Sequence, residues 1–518
     1  MQQESRVKKT LLNARVNLIF YFLTLVLSFF SRKIFLDSLG ADFIGLMGSL
    51  GSLLGFLNLA ELGIGSVVGF SLYKPIFNQD RDTIKEIVSV FGYLYRWVGL
   101  VILSCGLFLA CFFPLIFPDT GFNLGIIYFA FFSFLFSSVI GYFVNYRQTL
   151  LGADQRNYVV TAYFQTAAIL KTLVQMALAY YTSNYYLWAT IEFVYGLCYA
   201  LILNWKINKV YPWLNTDVRL GKQLLQKYPV IFEKIKQIFV HKIAGVVYSQ
   251  SAPLLIYAYA TLETVAFYGN YTIITSKLGS LLSGVLGSTA ASVGNLIAEG
   301  NKDRLMTIYW ELLAIRFWIA GIFSFALYKL LPPFIKLWLG EDYLLSNDIL
   351  ILVIISFVLG IIRNVTDQYK EGCGLFADVW APIVESIISI VSSITLGYFW
   401  GLKGVLLGGI ISTLIVVYGW QPYYLFTKGL YVPYIHYIFN FVKNVSILLF
   451  CYISSDRVVR FVSVVYDKSW TTWVIYAICV VTIFSIISFI LMLVFLPGMR
   501  TFVKRFLSRI NHEHFIHK

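Results

Sequence analysis

Apolar runs of about 20 residues, separated by short polar stretches, recur along nearly the whole chain. That pattern is the signature of helices that span a bilayer, because each run is long enough to cross the hydrocarbon and carries few charges. Six spans are predicted near 16–36, 43–73, 88–113, 122–145, 159–181 and 185–205. Six more follow near 240–260, 264–298, 306–331, 346–366, 377–399 and 402–426, then two near 434–453 and 471–496. The expected fold class is an all-α polytopic membrane protein of about fourteen transmembrane helices.

The polar segments are lopsided in charge. Arg6, Lys8, Lys9 and Arg15 precede the first span, and Lys206, Lys209, Arg219, Lys222, Lys227, Lys234 and Lys236 follow the sixth. Arg500, Lys504, Arg505, Arg509 and Lys518 follow the last. All lie on one side if the N-terminus is cytoplasmic, so the positive-inside rule places both termini there. The stretch 215–237 mixes Leu220, Leu224, Leu225, Val230 and Ile231 with lysines and reads as an interfacial helix. The longest external loops, 332–345 and 454–470, leave no room for a folded external domain.

Composition agrees. The 518 residues are 59% hydrophobic and 13% charged, against the roughly 25% charged residues of a soluble chain. A net charge of +14 reflects basic residues held on the cytoplasmic side, and no nucleic-acid partner is expected. The six cysteines form no CxxC pair and read as small packing residues. The first apolar run is too long for a signal peptide and lacks a clear cleavage site, so the first helix is expected to stay in the membrane.

The second and eighth spans are unusually long and rich in glycine. Gly45 and Gly63 in one meet Gly269 and Gly287 in the other at an offset of about 223 residues. Each span is followed by a similar polar turn, Asn78-Gln79-Asp80-Arg81 and Asn301-Lys302-Asp303-Arg304. Two six-helix lobes in tandem are expected, residues 1–210 and 211–428, with 429–518 adding two helices and a tail. Glycine-interrupted spans at matching places in two halves point to a transport pathway, although tight helix packing uses the same small residues.

Glu61, Lys171, Glu192, Lys277, Arg316, Arg363 and Glu385 lie within the predicted spans, with Arg32 and Lys33 near the outer end of the first. A charge at the bilayer centre costs roughly 3 kcal/mol on the gentlest scale, so seven facing lipid would cost about 20 kcal/mol. Most must face a protein interior or a wet cavity. Ion pairing between spans is one solution for Lys171 and Lys277, with Glu61, Glu192 and Glu385 as available partners, and snorkelling or headgroup pairing is one for Arg32, Lys33, Arg96, Glu311 and Arg363.

No GxxxxGK[ST] run is present to cradle ATP, and no cofactor is expected. Asp80-Arg81-Asp82 reads as a solvated charge cluster, and His512, His514 and His517 read as part of a disordered tail.

The stretch from Asn17 to Pro75, with Leu150 to Val159, Val240 to Val247 and Tyr268 to Ser288, resembles the polysaccharide-repeat-unit flippases. These are the O-antigen and capsule translocases of the multidrug/oligosaccharidyl-lipid/polysaccharide exporter superfamily. The resemblance covers nearly the whole chain. It implies two six-helix lobes around a central cavity, a place in the bacterial cytoplasmic (inner) membrane, and an undecaprenyl-pyrophosphate-linked oligosaccharide as substrate. It also implies that basic residues of the first and eighth spans line the cavity, which by position are Arg32 and Lys277.

Substrate binding is therefore assigned to Arg32, Lys277, Lys171, Arg316 and Arg363, and coupling or pairing to Glu61, Glu192 and Glu385. H+ or Na+ is the candidate coupling ion, and other polysaccharide assembly proteins are candidate partners beside the membrane lipids. A cation-coupled multidrug exporter of the same superfamily is the alternative, for which an acid-dominated cavity would be expected. A membrane glycan polymerase or ligase would need a large external loop with catalytic residues, and enzymatic activity is not expected.

Overall fold

The computed structural model describes residues 6–61, 63–118, 120–461 and 469–516, and every regular element among them is helical. In chain order these are α1 (Arg6–Leu39), α2 (Ala41–Leu57), α3 (Ile64–Phe77), α4 (Arg81–Ala110), α5 (Leu124–Val144), α6 (Asn157–Thr182) and α7 (Tyr185–Val210). Then come α8 (Pro229–Tyr259), α9 (Leu262–Gly287), α10 (Ala290–Ala298), α11 (Lys302–Trp338), α12 (Asn347–Ile362) and α13 (Asn364–Gly372). The chain ends with α14 (Trp380–Trp400), α15 (Leu402–Thr413), α16 (Ile435–Val459), α17 (Trp470–Phe495) and α18 (Pro497–Ile516). Between α15 and α16 the helix continues through two π-helical stretches, Leu414–Trp420 and Leu425–Leu430.

Eleven of the described helices are long and apolar enough to cross a bilayer. The three other predicted spans coincide with α2 and α3 together, with α6 and with α8. The second span fails the length test because it is broken in two, and α6 carries Asn157, Thr161, Gln165, Lys171 and Gln175 along its length. The chain is a multi-pass membrane protein.

Helix starts follow the polar turns. Asp80 caps α4 by accepting hydrogen bonds from the Thr83 amide at 3.0 Å and its hydroxyl at 2.6 Å. These bonds hold its carboxyl below the usual carboxylate range, so the cap persists at neutral pH and is lost only as acid titrates the group. Asn301 caps α11 in the same way, accepting from the Arg304 amide at 3.0 Å, so both copies of the polar turn serve as helix N-caps.

By contacts the chain divides into two units, Met1–Ala266 and Phe267–Lys518. In the first, α1 packs on α6, α5 lies against α4 and α7, and α8 packs on α2 and α3, so the seventh predicted span goes with this unit. In the second, α14 and α15 form the tightest hairpin, and α11 gathers α12, α17 and α18. Small residues permit these approaches: a methyl group at Gly404 would stand 1.9 Å from the Leu396 carbonyl oxygen, and one at Gly196 2.5 Å from the Ser137 Cα.

The loop read as one interfacial helix is shorter, a helix over Gly221–Lys227 that stops at Tyr228 ahead of Pro229. Lys227 there pairs with Glu86 on α4, 2.6 Å away. The tail read as disordered is helical through Ile516. It is tied down by Gly498, which lies against the backbone of Trp310, and by an Arg505–Glu311 ion pair of 2.6 Å. The side chains of His512, His514 and His517 lie outside the described residues.

Candidate functional site

The second span breaks where its sequence turns polar. After α2 the chain makes one 3₁₀ turn, Asn58–Glu61, and resumes as α3 from Gly63, whose φ of 89° lies in the left-handed region that glycine tolerates. The break brings Glu61 between two tyrosines. Tyr95 of α4 donates to one carboxylate oxygen at 2.6 Å, and Tyr142 of α5 donates to the other at 2.6 Å. Hydrogen bonds to a charged acceptor are the stronger kind, and this pair clasps the break to two neighbouring helices.

The eighth span breaks at the matching place. Helix α9 ends at Gly287 and α10 begins at Ala290. The Leu286 carbonyl exposed by the break accepts from the Arg316 guanidinium of α11 at 2.8 Å and from the Gln368 amide of α13 at 3.4 Å. Thr289 donates to the Gln368 carbonyl oxygen at 2.9 Å. Tyr95 and Arg316 sit on the third and ninth spans, Tyr142 and Gln368 on the fourth and tenth. Each break is thus clasped by its two neighbouring helices, an acid held by hydroxyls in one unit and a carbonyl held by a base in the other, with clamping residues that do not coincide at the repeat offset.

Arg316 is only 2% exposed, and no carboxylate lies within ion-pair distance of it among the described residues. Lys171 is different: its ammonium lies 3.0 Å from both carboxylate oxygens of Glu192, across α6 and α7, and 4.6 Å from the ring centre of Tyr195. Gln175 adds a bond to Glu192 at 3.4 Å and one to the Trp188 carbonyl at 3.2 Å. This cluster is a closed polar network within the first unit.

Arg32 and Lys33 part company. Arg32 donates to the Ala266 carbonyl at 2.7 Å, whereas Lys33 pairs with Asp37 one turn on, 3.2 Å away and half exposed. Lys277 lies half-buried on α9 in the second unit. Arg363, at the junction of α12 and α13, pairs with Asp367 at 3.1 Å. Glu385 on α14 is buried and makes no ion pair among the described residues. Among the described residues no group of three His, Cys, Asp or Glu side chains is placed to hold a metal ion.

Tyr95, Tyr142, Thr289 and Gln368 were not picked out by the sequence, because a tyrosine or glutamine inside an apolar run carries no charge to flag it.

A second cavity of about 880 Å³ lies within the second unit among α11, α12 and α16. Its walls are apolar, with Phe317, Ile355 and Leu448 among them, and Lys329, Asp456, Arg457 and Arg460 stand at one end.

No family model and no curated protein matches this chain. Two solved transporter structures resemble it in fold. A lipid II flippase MurJ in an inward closed conformation superposes with a TM-score of 0.60 at 15% identity, covering 92% of this chain and 98% of that one. An inward-facing multidrug resistance MATE family transporter of the MOP superfamily superposes with a TM-score of 0.58 at 17% identity, covering 79% of this chain and 97% of that one. The chain has the fold of these MOP-type transporters.

Proposed function

We propose that the chain is a flippase that carries an undecaprenyl-pyrophosphate-linked oligosaccharide repeat unit from the cytoplasmic to the external leaflet of a bacterial inner membrane, by alternating access, for surface polysaccharide assembly. The observation that carries this reading is Arg316. A guanidinium cannot be deprotonated in a protein, so a buried one with only a carbonyl partner leaves positive charge for an anion to answer. The two intramembrane acids Glu192 and Glu61 are otherwise engaged, the first neutralised by Lys171 and the second held by two hydroxyls. Pyrophosphate matches that demand, with several acceptor oxygens for charge-assisted bonds.

In this account Arg32, Lys277 and Arg316 hold the pyrophosphate in turn as it crosses, with Arg363 contributing to the field of the second unit. Lys171 and Glu192 neutralise each other within the first unit, and Glu385 lies buried in the second. Glu61 takes the coupling role: binding of H+ or Na+ at its carboxylate would weaken the bonds from Tyr95 and Tyr142 and free α3 to move against α2. The apolar cavity with its basic end suits a prenyl chain beneath a phosphate.

Drug export is the second reading, favoured by the TM-score of 0.58 to the multidrug transporter. The flippase likeness extends over more of this chain, 92% against 79%, which supports lipid-linked cargo. Deleting the gene tests the choice. The flippase reading expects a lipid-linked repeat unit to accumulate on the cytoplasmic leaflet. Heightened sensitivity to lipophilic cations without that accumulation would favour drug export.

A further inference from the structure

Asn145 caps α5 almost completely buried, at 1% exposure, and neither its amide nitrogen nor its carbonyl oxygen has a hydrogen-bond partner among the described residues. Burying an amide unpaired costs roughly 1–3 kcal/mol by mutational scales, so this side chain carries unused hydrogen-bonding capacity. It is one of the residues around a cavity of about 330 Å³ within the first unit, with Gln148, Asn157, Thr161, Gln165 and Tyr199. At about 30 Å³ per molecule the space would hold about ten waters, far more than one structural water bridging an amide.

None of the lining residues is charged. Amides and hydroxyls both donate and accept, which suits a neutral partner rich in hydroxyls and fails to select an anion or a cation. Two aromatic rings complete the wall: Phe164 and Tyr199 meet edge to face with centroids 5.2 Å apart. The start of α1 packs close to the cavity wall, since Asn13 is hydrogen-bonded to the Gln155 carbonyl and the Tyr158 amide beside Asn157.

Asn145 itself matches the polar Gln368 at the repeat offset, but along α6 the fold does not require this polarity. Helices α6 and α14 begin about 223 residues apart, at Asn157 and Trp380, so they are matching elements of the two halves. Asn157, Thr161 and Gln165 then correspond to Trp380, Val384 and Ile388. The second half builds the same helix with apolar residues at those positions. The amide stripe in the first half answers a ligand, and it also explains why α6 is not among the eleven apolar spans.

We infer that the Asn145 cavity is a binding subsite for a neutral sugar ring of the transported glycolipid. The inference rests on the flippase reading and adds to it where the glycan sits: sugar on the uncharged amides of the first unit, pyrophosphate on the bases. The cavity lies near the lower end of the roughly 300–1,000 Å³ of small-molecule sites, room for a ring rather than a chain.

The test uses the full chain in liposomes with p-benzoylphenylalanine in place of Phe164, or, as a separate protein, in place of Ile273 one turn before Lys277. The probes are undecaprenyl-pyrophosphoryl-N-acetylglucosamine and undecaprenyl-pyrophosphoryl-galactose, tritiated in the sugar, and undecaprenyl pyrophosphate tritiated in the prenyl chain. Illumination should attach sugar tritium at position 164 from at least one sugar lipid and none from the prenyl probe. Asn145→Leu, which keeps the volume and removes the hydrogen bonds, should lower the labelling at 164 at least fivefold and leave labelling at 273 in place. Labelling at 273 with none at 164 overturns the subsite and spares the flippase reading. Labelling at 164 that Asn145→Leu does not change also overturns the subsite. No labelling at either position overturns both.

Discussion

Among single residues, the Lys171–Glu192 pair and the Glu61 clasp make different demands. Lys171→Met alone leaves the Glu192 carboxylate buried and uncompensated, which costs about 3–5 kcal/mol, whereas Lys171→Met with Glu192→Leu removes the charge altogether and should return most of that stability. Urea or thermal unfolding of the purified protein reads this directly. Equal losses in the single and double variants would mean that the pair is not a unit. At Glu61 the prediction concerns transport: Glu61→Gln keeps the volume and weakens both tyrosine bonds, and should cut export at least tenfold at normal membrane levels. Tyr95→Phe and Tyr142→Phe, each removing one bond to a charged acceptor worth about 1.5–3 kcal/mol, should give intermediate export. Wild-type export from Glu61→Gln would leave the carboxylate as packing. The sequence displayed these charges plainly, because a charge in a 20-residue apolar run is conspicuous. It could not display their partners: Lys171 and Glu192 are 21 residues apart, and nothing local tells an ion pair from two cavity residues.

At the scale of elements, the glycines of the second span separate into kinds that the sequence shows as one. A methyl group at Gly45 would stand 1.8 Å from the Leu262 carbonyl oxygen, and one at Gly55 2.4 Å from the Gln250 side chain, while one at Gly51 meets nothing within 4 Å. Gly45→Ala should therefore destabilise by about 1–3 kcal/mol through forced separation of backbones, and Gly51→Ala should be neutral or mildly stabilising as helix propensity improves. A thermal midpoint that falls equally in both would contradict this division. At Gly63, where the chain resumes as α3, the left-handed backbone is what calls for glycine. Span positions, the polar turns and the repeat offset were legible because hydropathy and glycine spacing are local signals. The helix breaks were legible only as places able to bend, since glycines and a few polar residues in a span permit a 3₁₀ turn without requiring one.

For the whole molecule, the proposed fourteen spans would put both termini on one side, and single cysteines in a background lacking the six native ones test it. With the N-terminus inside, Ser183→Cys and Lys403→Cys should react with an impermeant thiol reagent from outside, and Gln79→Cys and Lys222→Cys should not; the reverse would overturn the orientation. The central claim is that intramembrane bases carry an anionic glycolipid. It is tested most directly in proteoliposomes, by the rate at which a fluorescent undecaprenyl-pyrophosphate-linked oligosaccharide placed in one leaflet becomes accessible to quencher in the other. The account predicts rapid transfer by the native chain, at least a tenfold loss in a well-folded Arg32→Ala, Lys277→Ala variant, and retention of much of the rate in Lys277→Arg. Undiminished transfer by the double variant would contradict it.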